Sequence, residues 1–198
     1  MKTLVVYYSR SGRTRSLARR LARELDADLA TLHDRQSRAG WRGYQRSLFE
    51  SVTGRDGDIA WAPDTGGYDL VVVGTPVWCG RLSSPVRAWV RRRRGAMRRV
   101  AFFCTMASGG AERAQAELEQ LLGRRVRAAL ALSSGEVARL VDGRPHAAID
   151  RFVASLKAME SQLPPAPVAI AAGEAARLSG RKLGPAHTAT MSPQESDP

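Results

Sequence analysis

Between residues 2 and 160, short apolar runs alternate five times with segments of helical periodicity, and few folds accommodate that pattern. The apolar runs are Leu4–Tyr8, Asp28–Leu32, Asp69–Gly74, Arg99–Cys104 and Val126–Leu132. The clearest is Leu70-Val71-Val72-Val73, apolar on both faces of a strand, as a strand covered on both sides must be. Helices are predicted over Arg13–Asp26 (Leu17, Leu21, Leu25), near Ala39–Val52 (Trp41, Tyr44, Leu48, Phe49), from Ser84 (Val86, Trp89, Val90), over Ala111–Leu122 and over Pro145–Glu160. Ser84-Pro85 places a hydroxyl and a proline at a helix start, and Gly123 closes the fourth helix. Consecutive parallel strands need such crossover connections, so the chain is expected to form a doubly wound, five-stranded parallel α/β sheet with helices on both faces. Gly54–Gly67, Thr75–Leu82 and Thr105–Gly110 read as loops, rich in Gly, Ser, Thr, Pro or Asp.

The composition of the chain changes after Glu160. The expected domain is residues 1–160, and residues 161–198 read as a Pro/Ala-rich tail, mostly disordered. The net charge of +12 lies wholly on the first part, where 28 basic residues face 16 acidic ones; the tail carries three of each. Such an excess attracts nucleic acid, anionic lipid, an acidic protein or a phosphorylated small molecule, or simply solvates a surface. Only two cysteines occur, so no disulfide framework is expected and a reducing, cytoplasmic location is implied. There is no signal-peptide pattern and no apolar run long enough to span a membrane. His33, His146 and His187 are scattered, with no metal-ligand spacing.

Open parallel sheets bind ligands at the carboxyl ends of their strands, where the strand order reverses. Three loops there carry chemistry. The first, Ser9-Arg10-Ser11-Gly12-Arg13-Thr14, joins a strand to a helix and combines hydroxyls, one glycine and positive charge, which is the composition of a phosphate site. It has neither the Gly-Lys-Ser/Thr ending of a Walker loop nor the three glycines of a dinucleotide fingerprint. The second, Thr75-Pro76-Val77-Trp78-Cys79-Gly80, carries a lone Trp between Pro and Gly, and the third is Thr105-Met106-Ala107-Ser108-Gly109-Gly110. A planar ligand with a phosphate tail would use the first loop for the phosphate and the other two for the ring.

With these three motifs in order after strands one, three and four, residues 2 to about 157 resemble the flavodoxin-like, FMN-binding family. The resemblance implies strand order 2-1-3-4-5 and an FMN site. Its phosphate would lie on Ser9, Ser11, Gly12 and Thr14 with the Arg10 and Arg13 backbones. The isoalloxazine would be bordered by Pro76, Val77, Trp78, Cys79 and Gly80, and the pyrimidine side and ribityl chain by Thr105, Met106, Ser108, Gly109 and Gly110. Arg13 stands where many relatives have Asn, and the third loop has no Tyr to stack on the outer ring face. The family's low-potential electron carriers are typically acidic, unlike this chain. The resemblance therefore implies an oxidoreductase that passes electrons from NAD(P)H, as co-substrate, through FMN to a quinone or similar acceptor. The alternatives are an electron carrier docking a redox partner protein, and a non-catalytic protein whose basic surface binds polyanions. No side-chain acid or base is required of the first, because the flavin carries the chemistry.

Overall fold

Leu70-Val71-Val72-Val73 occupies the middle of the sheet, and the other strands are placed by it. The computed structural model describes residues 1–34, 59–61, 63–140 and 145–161. Along the chain these form β1 (Thr3–Tyr7), α1 (Arg13–Glu24), β2 (Asp28–Thr31), β3 (His33–Asp34), β4 (Ile59–Trp61), β5 (Leu70–Trp78), β6 (Arg81–Leu82), α2 (Ser84–Arg93), a single turn of tight helix at Arg94–Ala96, β7 (Val100–Met106), α3 (Ala111–Leu122), β8 (Ala129–Ser133), α4 (Ser134–Arg139) and α5 (Ala147–Ser161). The main sheet runs β2-β1-β5-β7-β8 with every pair parallel, so its five parallel strands follow the expected order 2-1-3-4-5. The order reverses between β1 and β5.

Alternating side chains of one strand supply two cores. Leu4 and Val6 of β1 join Val71, Val73, Phe102 and Trp89 under α2 and α3. Val5 and Tyr7 join Val72, Phe103, Leu17, Leu21 and Phe152 under α1, α4 and α5. Each such side chain, fully removed from water, contributes about 1.5–3 kcal/mol before the entropy of ordering is subtracted. Trp89 is completely buried, as its place on a helical apolar stripe predicts.

Gly74 shows how tightly the second core is filled. In register with Phe103 on β7, it lies beneath that ring, and a Cβ built there would come within 2.0 Å of Phe103 Cζ. Gly74→Ala is expected to destabilise by about 1–3 kcal/mol, the usual cost of overpacking. Chemical denaturation checks this, with Phe103→Leu expected to recover much of the loss in the double variant because it removes the ring atoms that clash.

Several local expectations are corrected. The stretch Thr75–Leu82 is not a loop: β5 continues to Trp78, turns through Cys79-Gly80 and returns as β6, with Val77 opposite Leu82 and Trp78 opposite Arg81. Both turn residues have positive φ (50° and 71°), as a two-residue hairpin that follows the strand twist requires. Pro76 fits inside the strand for a reason of direction. Gly74 presents its carbonyl to Tyr8 N on the β1 side. Two residues on, Pro76 faces the same way, beyond the end of β1 at Tyr7, so no ladder bond is lost. The stretch expected as loop at Gly54–Gly67 contains β4, which pairs antiparallel with β3. A short helix, α4, follows β8 where none was expected. The helix predicted at Ala39–Val52 lies outside the described residues, as does the tail apart from Ser161, which ends α5. Among the described residues no helix is long and apolar enough to cross a membrane, and no His/Cys/Asp/Glu group could hold a metal ion.

Candidate functional site

The carboxyl ends of β1, β5 and β7 open into a cavity of about 320 Å³, within the range of small-molecule sites. Arg10, Ser11 and Arg13 line it from the first loop, Pro76 to Gly80 from the hairpin, and Thr105, Met106, Ser108 and Gly109 from the third loop. Ala107 and Ser134 complete the wall. Three segments that are far apart in sequence therefore meet at the point where the strand order reverses.

The first loop is prepared for an anion. Gly12 is the N-cap of α1 and adopts φ 88°, a conformation that costs glycine little. No side chain caps this helix, and its first turn contains no acid. The first-turn amides and the positive end of the helix dipole thus face the loop without a built-in negative partner. Ser9 Oγ is buried with no hydrogen-bond partner, whereas buried polar groups are nearly always paired. Arg10, Ser11 and Arg13 are exposed along the same wall.

Thr14 occupies a different position from the other loop residues. It is 2% exposed and does not line the cavity. Its Oγ1 lies 2.8 Å from Thr105 Oγ1, so its hydroxyl joins the start of α1 to the end of β7. Ser9, Gly12 and Gly110 also lie behind the lining rather than in it.

The hairpin forms the opposite wall. Trp78 meets the Tyr8 ring edge-on, with centroids 5.9 Å apart and planes at 87°, an arrangement aromatic quadrupoles favour. Tyr8 is itself 6% exposed, so the indole is braced from within. Gly110, the N-cap of α3 at φ 88°, abuts the hairpin tip: a Cβ on it would lie 2.5 Å from Gly80 Cα. The second and third loops therefore touch backbone to backbone.

A charged staple fixes the base of the hairpin. Arg87 of α2 is 1% exposed; its Nε lies 3.1 Å from Glu117 Oε1 of α3, and its Nη2 donates to Leu82 O at 3.1 Å. Glu117 Oε2 accepts from Leu82 N at 3.0 Å. Thr75 and Ser83 add a buried hydroxyl pair at 3.0 Å across the same hairpin.

Of the two cysteines, Cys79 sits exposed at the hairpin tip and Cys104 is buried. Burial pushes the Cys104 thiol up to about 12, so it stays protonated and inert. Ser134, which the sequence reading missed, begins α4 and donates to Met106 O at 3.2 Å. A signal for it was present: Ser133-x-x-Glu136 is a capping box, with Glu136 N donating to Ser133 Oγ and Ser133 N to Glu136 Oε2. Those bonds with Ser133 hold the Glu136 carboxyl below its ordinary range.

No protein-family model and no curated protein sequence matches the chain. Solved structures do. The crystal structure of a flavoprotein from Lactobacillus acidophilus NCFM in complex with FMN aligns with a TM-score of 0.59 at 23% identity, covering 72% of this chain and 97% of that one. The apo form of the flavoprotein from the same organism, solved by NMR, aligns at 0.54 and 23% identity over 71% of this chain and 95% of that one. An apo NADH:FMN oxidoreductase aligns at 0.52 and 15% identity over 84% and 92%. The chain has the flavodoxin-like fold, with its cavity at the switch point of that fold.

Proposed function

We propose that the chain is an FMN-binding oxidoreductase that accepts electrons from NAD(P)H and delivers them to a quinone or similar small acceptor. One observation carries the reading: at the switch point of the sheet, an uncapped helix start adjoins a cavity that Trp78 also lines, with the unpaired Ser9 hydroxyl buried behind the lining. The proposed phosphate contacts are the Ser9 and Ser11 hydroxyls and the backbone amides from Arg10 to Thr14. Thr14 acts by holding the loop against β7. Pro76, Val77, Trp78, Cys79 and Gly80 form the ring wall, and Thr105, Met106, Ser108, Gly109 and Gly110 the wall beside the pyrimidine and ribityl groups. The cradle fits such a ligand on its own terms. Positive φ at Gly109 (145°) leaves bare main chain, not a side chain, at the cavity wall, and positive φ at Gly110 (88°) suits its close packing against Gly80. Bound flavin supplies hydride and electron transfer; the protein supplies placement and charge. Arg10 and Arg13 at the cavity wall suit an anionic dinucleotide, and the alignment with an NADH:FMN oxidoreductase supports the choice of donor.

Titrating FMN into the protein should quench flavin fluorescence to saturation. Under anaerobic conditions, NADPH or NADH should then bleach the bound flavin without any partner protein, and a quinone should restore the colour. The bleaching rate should fall with salt, since screening over about 10 Å at 0.1 M weakens long-range attraction. Unchanged fluorescence at saturating FMN would remove the flavin reading altogether. Flavin that dithionite reduces but neither nucleotide does would make the protein an electron carrier.

A further inference from the structure

At the amino edge of the sheet, opposite the cavity, residues 91–99 contain six arginines and residues 124–127 three, and neither segment contains an acid. They precede β7 and β8, which are adjacent and parallel, so the topology brings them side by side. One hydrogen bond joins them directly, Arg124 Nη2 donating to Met97 O, and Arg94 Nη1 donates to Leu121 O at 3.1 Å in the last turn of α3, just before the second segment. The helix dipole does not account for the cluster. It favours cations within the last turn, which covers Arg91, Arg92 and Arg93 of α2. It does not reach Arg98, Arg125 or Arg127, which lie beyond the helix ends. Among the described residues, the acids paired with the cluster are Asp64, 3.4 Å from Arg93, and Asp69, 3.9 Å from Arg98, both with exposed or partly exposed side chains.

We propose that this arginine face binds the phosphodiester backbone of duplex nucleic acid, independently of the flavin site. The absence of apolar groups selects among polyanions. Neither segment contains an aromatic residue on which unpaired bases could stack. Leu29, on β2 at the edge of the sheet, is the exposed large hydrophobic among the described residues, so the face has no apolar anchor for acyl chains. A protein interface would bring a buried apolar core, and the described residues of the face offer none, whereas nucleic-acid interfaces are polar and strongly basic. What remains is charge at largely exposed positions on one edge of the sheet, which suits phosphates and not base edges, so binding is indifferent to sequence.

Fluorescence anisotropy with a labelled, mixed-sequence DNA duplex of about 20 base pairs, between about 50 and 200 mM salt, tests the proposal. Binding is expected, with log K falling linearly in log salt by about 0.9 per phosphate neutralised. The triple variant Arg92→Glu, Arg125→Glu, Arg127→Glu alters exposed side chains only, and circular dichroism should confirm its fold. It should weaken binding about 10-fold or more and flatten the salt slope by about 2–3. The corresponding triple Lys variant should bind nearly as the parent does. No duplex binding by the parent protein, parental binding by the folded Glu variant, or firmer binding to phosphatidylserine vesicles than to duplex would each overturn the proposal. The assay needs no flavin, so its result is independent of the cofactor reading.

Discussion

Glu117→Ala is expected to cost about 3–5 kcal/mol of stability, the scale of breaking a buried ion pair. The truncated carboxylate faces Arg87, which is 1% exposed and whose Nε lies 3.1 Å from Glu117 Oε1. Without it the buried guanidinium loses the carboxylate 3.1 Å from its Nε, and Leu82 N loses its acceptor. For a chain of this size the melting temperature should fall by about 6–20 °C. The comparison with Glu117→Gln isolates the charge, since the amide oxygen can still accept from Leu82 N; its loss should be smaller. Replacing both partners, as Arg87→Leu with Glu117→Leu, should recover most of the stability, because an apolar pair leaves no charge to desolvate. A Glu117→Ala protein that melts with the parent would show that the pair contributes nothing. Because the staple holds Leu82, and Leu82 pairs with Val77, the loss should also loosen the wall that carries Trp78.

The second large effect rests on the flavin reading and has opposite signs in the free and bound protein. Ser9→Ala with Ser11→Ala should raise the FMN dissociation constant about 100-fold or more, as hydrogen bonds to a charged group are worth about 1.5–3 kcal/mol each. Riboflavin, which lacks the phosphate, should bind both proteins alike. In the absence of ligand, Ser9→Ala alone should leave stability unchanged or raise it by about 1 kcal/mol, because it deletes a buried hydroxyl that has no partner. Thermal melts with and without FMN read both signs at once. Equal losses of FMN and riboflavin affinity would place the phosphate elsewhere.

Strand placement was the most legible part of the chain. Leu70 to Val73 is apolar on both faces, which marks a strand covered on both sides, and its alternate side chains do enter the two cores. The hairpin was less legible. Pro76 and the pair Cys79-Gly80 look like loop chemistry, and only the tertiary placement of β1 shows that Pro76 lies past the end of its neighbour. The cavity lining followed from the loop positions, since a parallel sheet delivers strands one, three and four to one edge. What composition could not reveal is which hydroxyls face outward. Ser9, Ser11 and Thr14 look alike in sequence, yet Thr14 pairs with Thr105, Ser9 is buried without a partner and Ser11 is exposed. That division depends on contacts made from distant segments. Nor did counting arginines reveal that Arg124 ties the two basic turns together through the Met97 carbonyl.

The hydroxyl contact between Thr14 and Thr105 also sets an order of events during synthesis. The first loop leaves the ribosome early, but the residue that fixes it lies 91 positions later. At about 5–20 residues per second, the nascent chain spends roughly 5–20 s with the first loop made and its support still untranslated. A cofactor present in the cell at that stage meets only a fragment of its cradle. On the proposed flavin function, loading is therefore a late event, available to a chain that has already assembled its middle strands. A ribosome-stalled chain ending before residue 100 should hold no flavin even when the finished protein does.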